Sequence, residues 1–135
     1  MKKKMLAALM LGGSLAAHAA MHTASFLKAE VPFDFQVGGR RLPVGKYLVR
    51  QVTTTVLEIR GLDSKAGASI AYIAESRDEG SGKGAMTFRC YGDQCFFAGA
   101  ADGFGSGMTA LRTRAEKEVA KGAVTRQVVP WTSGL

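Results

Sequence analysis

The chain has 135 residues, 47% of them apolar and 21% charged, with a formal charge of +7; that is the size of one small domain. Leu, Ile, Val and Phe together number 31, about 23% of the chain, which excludes wholesale disorder. Seventeen glycines without a period of three exclude collagen, two cysteines exclude a disulfide-dense scaffold, and the lack of a repeating segment excludes solenoids and propellers.

The chain opens MKKKMLAALMLGGSLAAHAA, a basic triplet, an apolar stretch over residues 5–17 and then Ala17, His18 and Ala19. This pattern predicts a signal peptide over residues 1–19, cleaved after Ala19. Its apolar run falls short of the roughly 20 residues a spanning helix needs, so no membrane span is expected after cleavage. No cysteine lies near the cleavage point to carry a lipid. The expected location is periplasmic or secreted. Removing Lys2, Lys3 and Lys4 leaves fifteen basic residues against eleven acidic ones. The remaining +4 is scattered, with Arg40 and Arg41 the one adjacent pair, and lacks the clustered cations and interleaved aromatics of a nucleic-acid face. Nucleic acid is therefore not an expected partner; weak attraction to anionic envelope polymers is compatible with this charge.

After a lead over residues 20–28, residues 29–37 (AEVPFDFQV) alternate, with Val31, Phe33, Phe35 and Val37 on one face. This predicts a half-buried strand, with Pro32 confining its start to an edge or bulge. Gly38 and Gly39 make a turn, and LPVG at 42–45 bends the chain into a second strand over 46–51. A third strand is expected at 55–60 and a fourth at 68–75, separated by a turn. Residues 77–84 (RDEGSGKG) read as a loop. Strands at 85–91 and 94–98 follow, joined by Gly92 and Asp93 in a hairpin turn. Residues 99–107, with four glycines, are expected to form a mobile connection. Thr113 to Glu116 fits a capping box, in which hydroxyl and carboxylate both satisfy first-turn N–H groups, so a helix is expected over about 114–121. Residues 124–135 are a tail or a last strand. The β domain proper is thus 29–123.

Cys90 and Cys95 flank the turn. With Tyr91 and Gln94 as its closing pair, the two cysteines face each other at a non-hydrogen-bonded position, where Cα atoms approach to about 4.5–5.5 Å. A cross-strand disulfide is expected, the more so in an oxidising compartment. C-x4-C is not the redox spacing, and no histidine lies nearby to complete a metal site. Catalytic constellations are missing too. His22 is the one histidine of the mature chain, near its terminus, so Ser-His-Asp and Cys-His arrangements are not expected. GSGKG at 80–84 resembles a phosphate loop without its leading glycine or trailing Ser/Thr. The Gly-Ser-Gly at 105–107 lacks the spacing of a nucleophile elbow. Asp78, Glu79, Asp93 and Asp102 sit in expected loops, where a glycosidase pair would need two of them to converge across a cleft. The calcium-loop pattern is absent. No catalytic residue, cofactor or metal is predicted.

Residues 31–49, VPFDFQVGGRRLPVGKYLV, resemble a family of small exported bacterial proteins of unknown function that share a VPFDF-x-VGG…LP-x-G-x-Y-x-V core. YGDQ-x-F at 91–96 and RAEKEVAK at 114–121 are similar to the same family, and the chain departs from it at Cys90, Cys95 and the glycine-rich stretch from Gly99. The resemblance implies export and no particular activity. LPVGKYLV also resembles the strand entry of prealbumin-like and carbohydrate-associated β-sandwich modules, which implies a sandwich but not sugar binding.

The expected fold is all-β: a small sandwich or partly open barrel of six or seven mainly antiparallel strands with one short C-terminal helix. Its core is expected to hold Val31, Phe33, Phe35, Tyr47, Val49, Leu57, Ile59, Ile70, Phe88 and Phe97. The expected function is non-enzymatic, through a binding or structural surface whose partner is an envelope protein or polysaccharide. The alternative is a carbohydrate-binding module, for which Tyr91 and Trp131 are the candidate ligand contacts and Tyr72 and Phe104 further aromatics able to stack on a sugar.

Overall fold

The computed structural model describes residues 27–76 and 83–132; the expected signal peptide and the acidic pair Asp78 and Glu79 lie outside them. The fold is all-β with one short helix, and the described residues form ten strands rather than six or seven. These are β1 (Leu27–Val31), β2 (Phe35–Val37), β3 (Arg40–Leu42), β4 (Gly45–Thr53), β5 (Val56–Gly61), β6 (Gly67–Ser76), β7 (Ala85–Tyr91), β8 (Gln94–Ala101), β9 (Ser106–Ala110) and β10 (Thr125–Pro130), with α1 (Arg114–Val119) before the last.

One ladder runs β1-β4-β5-β6-β9-β8, and β8 continues to β7 and β10 on one side and to the β2–β3 hairpin on the other. All pairings are antiparallel except β2 with β8, which meet at Gln36 and Phe96. Strand β6 carries the sheet between layers: its first half, from Gly67 to Ala71, pairs with β5 and its second, from Tyr72 to Ser76, with β9. The sheet stays open. At its two ends the Thr132 N–H donates to the Lys28 carbonyl at 2.8 Å, with no ladder between β1 and β10 among the described residues.

The extra strands have local causes. The expected 29–37 strand is two, because Pro32 cannot donate to a ladder and Asp34 turns aside to accept the Val44 N–H at 3.1 Å. The chain therefore switches neighbours at Pro32, from β4 to β3 and β8. Tyr47 closes the same bend with a 2.6 Å hydrogen bond from its hydroxyl to the Pro43 carbonyl, which gives the LPVGKY motif a physical role. The glycine-rich stretch 99–107 is not a loop throughout: its ends belong to β8 and β9, leaving a turn of four residues from Asp102. Gly99 is there for packing, since a Cβ would collide with the Met108 carbonyl of the neighbouring strand. The tail becomes β10, an edge strand on β7.

Nine of the ten expected core residues are buried, and Phe33 is half-buried against them. Edge-to-face ring pairs link Phe33, Phe88, Phe35 and Tyr47 at centroid spacings of 5.0 to 5.2 Å, with Phe97 joined to Phe88 at 6.1 Å. Such pairs add about 0.5–1.5 kcal/mol each beyond the area they bury.

Candidate functional site

Residues of β1, β4, β6 and β9 and of the turn between β8 and β9 border one concavity. It is a cleft of about 850 Å³, with Val49 among its lining residues. Ligand sites commonly occupy the mouths of partly open barrels, and this volume lies within the range of about 300–1,000 Å³ typical of them. Leu27, Val49, Ala74 and Met108 give it apolar walls; Gln51, Ser76 and Ser106 give it neutral hydrogen-bonding groups, and Arg50, Glu75 and Asp102 give it charged ones. Gln51 is held by donating to the Tyr72 hydroxyl, which itself donates to the Thr53 carbonyl at 3.2 Å.

Phe104 stands on the lip of this cleft and is 78% exposed. Its turn is tightly built. The Asp102 carboxylate accepts from the Phe104 N–H at 2.7 Å and the Ser106 N–H at 3.2 Å, while the Asp102 N–H donates to the Ser106 carbonyl at 3.1 Å. A large apolar ring is thereby presented to solvent on an ordered support, at the cost of hydrating it.

The structure does not bring the two expected ligand contacts together. Tyr91 ends β7, and Trp131 lies across from Gly84 just before β7 begins, so about 20 Å of strand separates them. Tyr91 donates its hydroxyl to Glu116 at 2.7 Å and meets Phe96 edge to face. Trp131 donates its indole N–H to the Ala101 carbonyl at 2.5 Å and lies over Gly84, where any Cβ would collide with the ring. Both are half-exposed, and each has its polar atom hydrogen-bonded within the chain. Tyr72 is buried. Of the four aromatics, Phe104 alone lines the cleft. Cys90 and Cys95 form the expected disulfide, at opposed positions with Cα atoms 4.0 Å apart. Asp93 and Asp102 sit at opposite ends of β8, about 25 Å apart along the strand and far beyond the spacing of a glycosidase pair.

One cluster has no counterpart in the sequence reading. The Thr113 hydroxyl caps α1 by accepting from the Glu116 N–H at 3.2 Å, but the Glu116 carboxylate does not return to the helix start. It turns beneath the helix to Arg89, taking Nε at 2.5 Å and Nη2 at 3.0 Å, and also accepts from Tyr91. Arg112 approaches the same carboxylate at 3.8 Å. Glu116 is 1% exposed. Burial opposes its ionisation, yet the hydrogen bonds from Arg89 and Tyr91 and the charges of Arg89 and Arg112 outweigh it and hold the carboxyl below its ordinary value. Burial, and then the bond to Glu116, pushes the Tyr91 phenol up. Every member is committed to another, so the cluster fastens α1 to the outer face of β7.

No protein-family model matches this chain, and neither does any curated protein or solved structure. Among the described residues, no three His, Cys, Asp or Glu side chains gather as a metal site would require, and no helix is long and apolar enough to cross a membrane.

Proposed function

We propose that this is an exported, non-enzymatic binding protein, periplasmic or secreted, that takes its ligand in the open mouth of the sheet. The leader-like opening of the chain and the Cys90–Cys95 disulfide support export to an oxidising compartment. The resemblance of VPFDFQVGG and LPVGKYLV to small exported proteins is part of the same reading. The observation that carries the ligand site is Phe104, held exposed by its turn on the lip of an 850 Å³ cleft.

Carbohydrate is the ligand class this arrangement favours. A sugar ring offers an apolar face to Phe104 and hydroxyls to Gln51, Ser76 and Ser106, whereas a purely apolar ligand would leave those groups unpaired. Burying the exposed ring on binding is worth about 2 kcal/mol, or roughly 30-fold in affinity. The test is co-sedimentation of the exported protein with isolated envelope polysaccharide at low and high salt. Binding that persists at high salt and weakens about 30-fold in Phe104→Ala supports the proposal, since salt screens mere attraction of a basic protein to an anionic polymer. Binding unchanged by Phe104→Ala, or none at high salt, removes the sugar reading.

A further inference from the structure

A second concave surface lies on the sheet where the β2–β3 hairpin approaches the start of β6. It encloses about 490 Å³, and its charged lining is Arg40, Glu58, Arg60 and Lys65. These residues come from β3, β5 and the turn after β5, so no stretch of sequence announces them as a group. From this convergence we infer a binding site for a phosphate-bearing anion, separate from the sheet mouth.

The cations there are largely unspent. Arg40 reaches across from β3 and donates Nη1 to the Gly67 carbonyl at 3.3 Å. That bond holds the guanidinium over the concavity and uses one of its five donors. Arg60 is 63% exposed and its Nη2 stands 3.6 Å from Glu58, a distance of charge pairing and not of hydrogen bonding. Glu58 is already engaged by the Arg50 Nε at 2.7 Å, so its charge is matched before Arg60 is counted. Lys65 has no ion-pair or hydrogen-bond partner among the described residues. The neighbouring charges are settled elsewhere, Arg41 with Asp34 at 3.3 Å and Lys46 with Asp63 at 4.0 Å.

With Glu58 matched by Arg50, the cations Arg40, Arg60 and Lys65 leave the hollow net positive. Two guanidinium forks match the paired oxygens of a phosphoryl group, and the Lys65 ammonium adds a point charge for a third oxygen. A carboxylate has only two oxygens and one charge, and would leave one of the three cations unmatched. The class of ligand is therefore a phosphoryl group with more than one charge, free or carried on an envelope polymer.

Titration calorimetry of the exported protein with tripolyphosphate, and with citrate as a carboxylate probe carrying about one charge fewer at neutral pH, tests this. Tripolyphosphate is expected to bind more tightly than citrate. The double variant Arg40→Gln/Lys65→Gln should weaken it at least tenfold and flatten its salt dependence, while Arg40→Lys, which keeps the charge but loses the fork, should weaken it by less. Arg114→Gln removes an exposed charge on α1 outside the hollow and should change nothing, and neither should Phe104→Ala at the mouth. Circular dichroism of the double variant checks that it is folded. Equal loss in Arg114→Gln, equal affinity for citrate, or no tripolyphosphate binding by the wild-type protein would overturn the proposal. Inorganic phosphate and a phosphate-bearing envelope polymer, run in parallel, distinguish a free from a polymer-borne ligand.

Discussion

Glu116 is the residue on which the sequence pattern and the structure part most clearly. A Thr-x-x-Glu pattern describes neighbours three apart on one helix turn, and its Thr113 half forms as the pattern implies. The carboxylate is drawn away because Arg89, 13% exposed at its side chain, needs a counter-charge, and a charge-assisted fork is stronger than a bond to an exposed amide. Glu116→Gln leaves that guanidinium buried beside a neutral group and should destabilise the fold by about 3 kcal/mol at neutral pH. The pH dependence has a definite sign. The folded carboxyl ionises below its ordinary value of 4.5, so its contribution is fully present above that value and is lost as the pH falls through the lower folded pKa. Denaturant unfolding should show the wild-type advantage over Glu116→Gln undiminished at pH 7 and narrowing below 4.5. A gap that stays constant into acid would mean that the ionised form is not what the clasp stabilises.

The β7–β8 hairpin was the most legible element, because everything it needs lies within a dozen residues. Gly92 adopts φ +67° at the turn, Tyr91 faces Gln94, and the cysteines fall opposite one another. The disulfide closes a six-residue loop and contributes about 2 kcal/mol on the chain-entropy view. Replacing both cysteines with alanine should lower the unfolding free energy by that amount while leaving the hairpin register intact, since turn and ladder do not depend on the bridge. Thiol titration of the denatured wild-type protein should find no free thiol. Strands β2 and β3 were less legible. Three residues each is too short for alternation to register, and their pairing depends on Asp34 and Tyr47 bracing the bend between β3 and β4. Strand β9 was hidden by its glycine-rich approach: a glycine required by close packing, as Gly99 is, and one required by a turn look alike in a sequence.

Considered as one body, the molecule is a sheet that bends back through β6 and stops short of closing. An unclosed sheet must dispose of its edges, and here β10 ends in Pro130 while the chain beyond it bonds to β1 through Thr132 and Lys28. The sheet also opens at the cleft beneath Phe104, whose lining includes Leu27 beside Lys28 on β1. The cleft at Phe104 is mixed in character and the hollow at Arg40 is cationic, so under the proposals above the salt-resistant and salt-sensitive parts of any polymer binding should separate by variant. The proposed export has its own test. N-terminal sequencing of the protein recovered from outside the cytoplasm should read from Ala20; a start at Met1 would overturn the export reading.

Fold class, the core aromatics, the hairpin with its disulfide and the helix position could all be read from the chain alone. Alternation, turn chemistry and capping are interactions among residues a few positions apart, and their signatures are therefore contiguous. The partition of residues 29–37 between two sets of neighbours, the Arg89–Glu116 pair and both concavities could not. Each joins residues from separated strands, and which strands become neighbours is decided when the whole sheet assembles. Arg89 and Glu116 lie 27 positions apart, and the cleft draws its walls from β1, β4, β6 and β9. Tyr91 and Trp131 show the converse. They are the expected ligand contacts, near turns in the sequence; the assembled sheet gives each an internal hydrogen-bond acceptor, and of the four aromatics it is Phe104 that lines the cleft.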